Sequence, residues 1–183
     1  QEILTDLKQP KAMSRLLQGE VGSGKTVIAT LALLIAAANG YQGALMAPTE
    51  VLAEQHYTNI CNYLSQVGTQ QAGSELHGGT IRRYTGFLSK PLTIALLIGS
   101  LSAAEKEDLH DEIKQGKVDI VVGTHALIQK EVEFEKLGLA VIDEQHRFGV
   151  LQRSALRQQG FNPHVLVITA TPIPRTMALT LYG

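Results

Sequence analysis

The sequence predicts an α/β protein with a doubly wound, mostly parallel sheet sandwiched by helices. Apolar runs of strand length recur along the chain, and turn residues and then a segment of helical period follow most of them. These runs are continuous and not alternating, which is typical of parallel strands that are buried on both faces. Because strand and helix alternate, the pattern favours one sheet covered by helices on both sides.

The predicted elements follow one another with short connections, except in one segment. Six strands are predicted, at residues 13–17, 43–47, 92–98, 118–122, 139–142 and 165–168. Helices are predicted at residues 25–39, 50–66, 103–115 and 152–159. Residues 68–91 are rich in glycine and show little periodicity, so we expect them to form a structureless, flexible insertion.

Size and composition exclude several classes of protein. The 183 residues suit one domain spanning residues 1–183, and 44% hydrophobic with 18% charged residues excludes a disordered chain. The richest apolar stretch, residues 30–38, is half as long as a membrane span, so no membrane partner is expected. The single cysteine, Cys61, excludes an internal disulfide and a paired-cysteine metal site, and we therefore expect a cytoplasmic protein.

The net charge gives no sign of a nucleic-acid partner. The chain carries 16 basic and 17 acidic residues, for a net charge of −1. Proteins that bind nucleic acids often have a basic excess, because neutralising phosphates releases counterions. Composition alone therefore argues mildly against DNA binding, and evidence for it must come from motifs.

A glycine-rich loop between the first predicted strand and helix predicts an ATP site. GEVGSGKT at 19–26 matches the pattern GxxxxGK[ST] in the context that this pattern requires. Glycines let backbone N–H groups converge on phosphates, Lys25 would reach the β- and γ-phosphates, and Thr26 would bind Mg²⁺. The alternative is a glycine-rich turn without a ligand. The expected nucleotide-binding residues are Gly19, Gly22, Ser23, Gly24, Lys25 and Thr26.

Two adjacent acids end the fifth predicted strand. Asp143 can hold Mg²⁺, usually through water, and Glu144 can act as the general base for the attacking water. With Lys25 they form the predicted catalytic set. A strand end with two solvated acids is the alternative, but the phosphate loop argues against it.

Seven blocks, in the expected order, make the chain resemble the RecG family of superfamily 2 DNA helicases. The blocks are GEVGSGKT (19–26), MAPTEVLAEQH (46–56), LIGS (97–100), GTHALIQ (123–129), DEQHRFG followed by QR (143–153), TATP (169–172) and IPRT (173–176). Several of them also resemble the related transcription-repair coupling translocase. The blocks at 46–56 and 123–129 favour RecG.

The resemblance implies a RecA-like P-loop NTPase domain, the first of the two in a helicase motor. It also implies that Thr49, Ser100 and Thr124 contact the phosphodiester backbone of forked or branched DNA. Neutral hydroxyl groups suit that contact, since they bind phosphate without reading sequence. Taken singly, each of these residues is more often a turn residue or a helix N-cap.

The resemblance further implies elements that couple ATP hydrolysis to DNA movement. His146, which also belongs to the expected nucleotide site, would hydrogen-bond a hydroxyl of Thr169 or Thr171. A purely structural hydrogen bond is the alternative. Arg175 would contact either DNA or the second motor domain.

The chain also lacks parts that the family pattern contains. It begins at Gln1 in the style of a helix interior, which suggests a fragment, and the adenine-reading glutamine block cannot be assigned. The second RecA-like domain, its arginine finger and the wedge domain would be partners within the full-length protein. We therefore expect the isolated chain to bind ATP weakly and to hydrolyse it poorly.

Two other functions stay open from the sequence. One is the equivalent domain of the coupling translocase, and the other is a non-catalytic ATP-binding module. The second predicts a degraded metal or base position, yet Lys25, Thr26, Asp143 and Glu144 are all intact.

Overall fold

The computed structural model describes residues 2–9, 11–20, 22–71, 79–86, 88–129, 131–144 and 162–170, of which Ile128 and Glu144 are described by their backbone only. The elements are α1 (Glu2–Leu7), β1 (Ser14–Gln18), α2 (Lys25–Ala38), β2 (Gln42–Met46), α3 (Glu50–Val67), β3 (Thr69–Gln70), β4 (Ile81–Thr85), β5 (Leu92–Leu97), α4 (Ala103–Lys114), β6 (Ile120–Gly123), β7 (Leu137–Glu144) and β8 (His164–Thr169). A short 3-10 helix, His125–Ile128, follows β6.

The strands form one sheet in the order β1-β8-β7-β2-β6-β5-β4-β3. The first six pair in parallel, whereas β4 and β3 are added antiparallel at the β5 edge. The predicted fold class is therefore confirmed. All six predicted strands and the helices at 25–39, 50–66 and 103–115 are present to within two residues at each end. The helix predicted at 152–159 lies outside the described residues.

The segment 68–91 differs from the sequence prediction, because it carries β3 and β4. Ile81 and Tyr84 are fully buried, and Ile81 lies opposite Ala95 of β5. Burying these two side chains stabilises β4 on the sheet, although Arg82 and Arg83 between them hide the strand pattern. The expectation of a structureless segment was wrong for these residues. Its flexibility stays a prediction, and residues 72–78 lie outside the described part.

Apolar layers cover both faces of the sheet. In β2, Leu45 packs into the layer under α2 and α3, whereas Ala44 and Met46 pack into the layer under α4. The continuous apolar runs predicted strands that are buried on both faces, and the two layers confirm this. No helix among the described residues combines the length and apolarity that a membrane crossing requires.

Because six strands are parallel, their carboxyl ends lie at the same edge of the sheet, which we call the carboxyl edge. We call the residues at or just after the ends of β1, β7 and β8 the phosphate half of this edge. They are residues 19–20, 22–26, 143–144 and 169–170. The segments after β2, β5 and β6 are the hydroxyl half, with residues 47–50, 98–102 and 124–125. The two halves meet where β7 pairs with β2.

Candidate functional site

The loop after β1 has the backbone of a phosphate cradle. Gly22 and Gly24 have φ angles of 82° and 84°, a left-handed conformation that glycine adopts without strain. Helix α2 begins directly after Gly24, an N-cap residue that has no side chain to cap the helix. A Cβ atom on Gly19 would lie 2.6 Å from Oγ of Ser23, so a larger residue there would require the serine side chain to move. The N–H groups at the start of α2 thus receive no hydrogen bond from the side chain of their N-cap residue.

The ammonium group of Lys25 lies within this loop. Nζ donates hydrogen bonds to the carbonyl oxygens of Gly19 at 2.7 Å and Glu20 at 2.5 Å, and lies 3.4 Å from Oγ of Ser23. Thr26 is half-buried in the first turn of α2. Nζ of Lys25 thus lies inside the loop that the sequence predicts to bind phosphates.

Strand β8 connects the loop to the acids at the end of β7. The N–H of Gly19 donates to the carbonyl of Thr169 at 3.2 Å, and Thr169 is in register with Glu144. Since β8 alone separates β1 from β7, the two strand ends are about 10 Å apart. A triphosphate group and a metal ion could therefore lie above the end of β8 and contact both strand ends.

The carboxylate of Asp143 has a partner that the sequence analysis missed. Oδ2 of Asp143 lies 2.6 Å from Nε2 of His56, with side-chain exposures of 19% and 10%. An ionised carboxylate only accepts, so Nε2 of His56 donates. His56 ends the block 46–56, and helical period from Ala53 could have predicted that it faces the core. Its partner is 87 residues away, and no local pattern indicates it.

The hydroxyl half is held together by bonds between side chains and backbone. Oγ1 of Thr49 caps α3 by accepting from the N–H of Leu52 at 3.3 Å. Oε1 of Glu50 accepts from the N–H of Gly99 at 2.8 Å, and Nζ of Lys106 donates to the carbonyl of Gly99 at 2.6 Å. The loop after β5 is thus bonded to the first residue of α3 and to α4.

The three hydroxyl residues expected to contact DNA differ in exposure. Thr49 and Ser100 are exposed, which fits such a contact, although Thr49 also has the capping role that was its alternative. Thr124 is 5% exposed, and its burial does not favour a contact through the side chain. The adjoining Gly123 lies so close to β5 that a Cβ atom there would be 2.2 Å from the carbonyl oxygen of Leu97.

The expected coupling residues are described only in part. Thr169 is 1% exposed, and its carbonyl oxygen accepts a hydrogen bond from the N–H of Gly19. His146, Thr171 and Arg175 lie outside the described residues, as does the side chain of Glu144. Their predicted roles stay predictions.

The donor set of the phosphate half suits a hydrated hard cation. The Thr26 hydroxyl and the Asp143 carboxylate are oxygen ligands, and Mg²⁺ needs only one or two from the protein when phosphates and water supply the rest. The part of the chain that the structure describes holds no group of three His, Cys, Asp or Glu side chains arranged for a metal. A closed protein cage for a metal is therefore not the kind of site found here.

One cavity lies away from the carboxyl edge. It has a volume of about 730 Å³ and is lined at the opposite edge by residues that include Leu137, Gly138 and His164. Nδ1 of His164 accepts the N–H of Met13 at 3.0 Å, and burial lowers the pKa of this histidine. Ligands of parallel sheets bind at the carboxyl ends, so the site is not assigned to this cavity.

Comparison with known proteins places this geometry in a family. A family model described as DEAD/DEAH box helicase matches residues 1–180. The chain is 52% identical over 183 residues to the ATP-dependent DNA helicase RecG of Streptococcus pneumoniae serotype 4, covering 100% of this chain and 24% of that protein. It is 50% identical to RecG of Synechocystis over 182 residues, again 100% of this chain and 19% of that protein.

A solved structure gives the same result. The structure of RecG bound to a three-way DNA junction aligns with a TM-score of 0.74 and 42% identity, covering 100% of this chain and 21% of that chain. At that identity the likeness extends to the sequence as well as to the fold. The chain thus spans about a quarter or less of the length of each of these relatives.

Proposed function

Because the chain belongs to the DEAD/DEAH box helicase family, we propose that it is the ATP-hydrolysing motor domain of a DNA helicase that acts on branched DNA. Its relatives at about 50% identity are named ATP-dependent DNA helicases, and one related protein was solved on a three-way junction. The complete activity belongs to the full-length protein, in which a second RecA-like domain and a wedge domain are the expected partners.

One observation carries the proposal. The lysine loop after β1 and the acid after β7 lie at the same edge, separated only by β8, to which both are bonded. In this arrangement the backbone amides of residues 22–26 and Nζ of Lys25 bind the phosphate groups of ATP. Asp143 and Thr26 would hold the magnesium ion that accompanies ATP. The bound ion supplies positive charge that offsets the charge developing on the phosphate oxygens.

Glu144 is proposed as the general base. It directly follows Asp143, and its backbone lies opposite Thr169 of β8, next to the phosphate loop. A carboxylate at this position can accept a proton from the attacking water as the bond to the γ-phosphate breaks. His146 is proposed to complete this site and to couple it to Thr169 and Thr171.

DNA is proposed to bind at the hydroxyl half. Thr49 and Ser100 offer exposed neutral donors, and they lie on loops that Glu50 and Lys106 hold together through Gly99. Contacts of this kind bind phosphate without a basic patch, which agrees with the net charge of −1. A DNA motor with one buried cysteine also fits the cytoplasm, which we propose as its location.

The two alternatives have less support. Two relatives at about 50% identity are RecG proteins, which favours RecG over the coupling translocase. A non-catalytic module would not need a general base, yet Glu144 stands next to Asp143 at the end of β7.

The proposal is tested by replacing Glu144 with Gln in the full-length protein. We expect Glu144→Gln to retain ATP affinity within a few-fold while steady-state ATP hydrolysis on branched DNA falls about 100-fold or more, as for loss of a general base. Glu54→Gln is a matched control, since Glu54 is exposed on α3 and outside the site. Unchanged hydrolysis in Glu144→Gln would remove Glu144 from its role, and no magnesium-dependent ATP binding by the wild type would refute the motor function.

A further inference from the structure

His56 connects the two halves of the carboxyl edge. It belongs to α3, which begins at the hydroxyl half, and it bonds Asp143, which ends β7 in the phosphate half. Both side chains are largely buried, with exposures of 10% and 19%. Water therefore competes poorly for this hydrogen bond, and the orientation of the carboxylate depends on the histidine.

A role in packing alone does not explain this histidine. The other buried side chains of α3 are Ala53, Tyr57, Ile60, Cys61 and Leu64. Nδ1 of His56 is buried and has no hydrogen-bond partner among the described residues. An unpaired buried polar atom is destabilising, and an apolar residue of similar size would avoid this. The contact with Asp143 is what an apolar residue at this position could not provide.

Helix α3 is fixed at its other end to the hydroxyl half. Thr49 caps its first turn, and Glu50 bonds the N–H of Gly99. From Glu50 to His56 the helix rises about 9 Å. Helix α3 therefore joins the Gly99 loop at one end to the partner of Asp143 about two turns later.

We propose that His56 is a positioning residue that holds Oδ2 of Asp143 and links the magnesium-binding acid to the DNA-binding start of α3. This inference rests on the proposed function, since it assigns magnesium to Asp143. With Oδ2 bonded to His56, Oδ1 is the oxygen that would remain for the ion or its water. Partners that orient metal ligands typically change metal affinity by about 10–100-fold.

The test compares three replacements of His56 in the full-length protein. His56→Leu keeps apolar volume and removes the donor. His56→Gln places an amide N–H near the position of Nε2, whereas the shorter His56→Asn cannot reach it. Tyr57→Phe is the matched control, because it removes a different hydrogen bond of α3, from Oη of Tyr57 to the carbonyl of Gly79.

Two quantities are measured that do not require turnover. They are the magnesium concentration that half-saturates binding of a fluorescent non-hydrolysable ATP analogue, and the affinity for that analogue in EDTA. We expect His56→Leu and His56→Asn to raise the half-saturating magnesium concentration about 10-fold with unchanged affinity in EDTA. His56→Gln should stay within about threefold of the wild type, and Tyr57→Phe should match it. Stimulation of ATP hydrolysis by branched DNA should fall in the Leu and Asn variants.

The outcomes separate this inference from the function on which it rests. A folded His56→Leu variant with wild-type magnesium dependence and DNA stimulation would overturn the positioning role while the motor function stands. If the His56→Leu variant does not fold, the His56→Gln and His56→Asn variants are compared instead. Equal half-saturating magnesium concentrations in these two variants would overturn the positioning role. A wild-type protein without magnesium-dependent binding of the analogue overturns both.

Discussion

The two halves of the carboxyl edge are built by different physical means. The phosphate half depends on backbone shape, with left-handed Gly22 and Gly24 and a lysine that bonds backbone carbonyls. The hydroxyl half depends on separate bonds from side chains to backbone, such as those of Glu50 and Lys106 with Gly99. A single substitution in the phosphate half should therefore abolish most of the ATP binding or hydrolysis. A single substitution in the hydroxyl half should lower DNA affinity only partly.

Two lysines that each bond a glycine carbonyl give the sharpest test of this difference. Lys25→Met should reduce ATP hydrolysis by about 100-fold or more, because a charged donor to the phosphates is lost. Lys106→Met, the matched change in the hydroxyl half, should leave hydrolysis without DNA unchanged and weaken DNA binding several-fold. Steady-state hydrolysis and fluorescence anisotropy with a branched DNA measure both. Similar effects of the two changes on hydrolysis without DNA would break the distinction between the halves.

A pair of left-handed glycines separates backbone strain from function. Gly22 and Gly40 have φ angles of 82° and 79°, and a Cβ atom on either would meet nothing within 4 Å. Gly22→Ala and Gly40→Ala should each lower the free energy of unfolding by about 1–2 kcal/mol, measured by urea denaturation. We expect only Gly22→Ala to weaken ATP binding as well, by about 10-fold. Equal ATP affinity in the two variants would show that the conformation of the loop is not needed.

The smallest effect is expected at Glu50. Glu50→Ala removes the acceptor for the N–H of Gly99, and a typical hydrogen bond contributes about 1 kcal/mol. DNA affinity should fall about fivefold, with ATP affinity in the absence of DNA unchanged. Glu50→Gln retains a carbonyl oxygen as the acceptor and should recover most of the loss. If Glu50→Ala lowered ATP affinity as much as DNA affinity, the two halves would not act independently.

Most of the fold followed from local pattern, and the exceptions share a cause. The six parallel strands are continuous apolar runs, so their positions were predicted to within two residues. Strand β4 was missed because Arg82 and Arg83 interrupt its apolar residues, and its stability comes from pairing with β5. The hydrogen bond between His56 and Asp143 was also missed because its two residues are far apart in the sequence, and no local pattern pairs them.

The sequence by itself determined the six parallel strands, helices α2, α3 and α4, the glycine-rich loop after β1 and the acids at the end of β7. Short-range periodicity and residue type suffice for these features, because backbone propensity and burial act over a few neighbouring residues. The tertiary structure decided the order of the strands, and hence the division of the carboxyl edge and the contact across 87 residues that joins its halves. Strand order depends on how crossover helices pack on the sheet, and this long-range packing is not written in any local stretch of the chain.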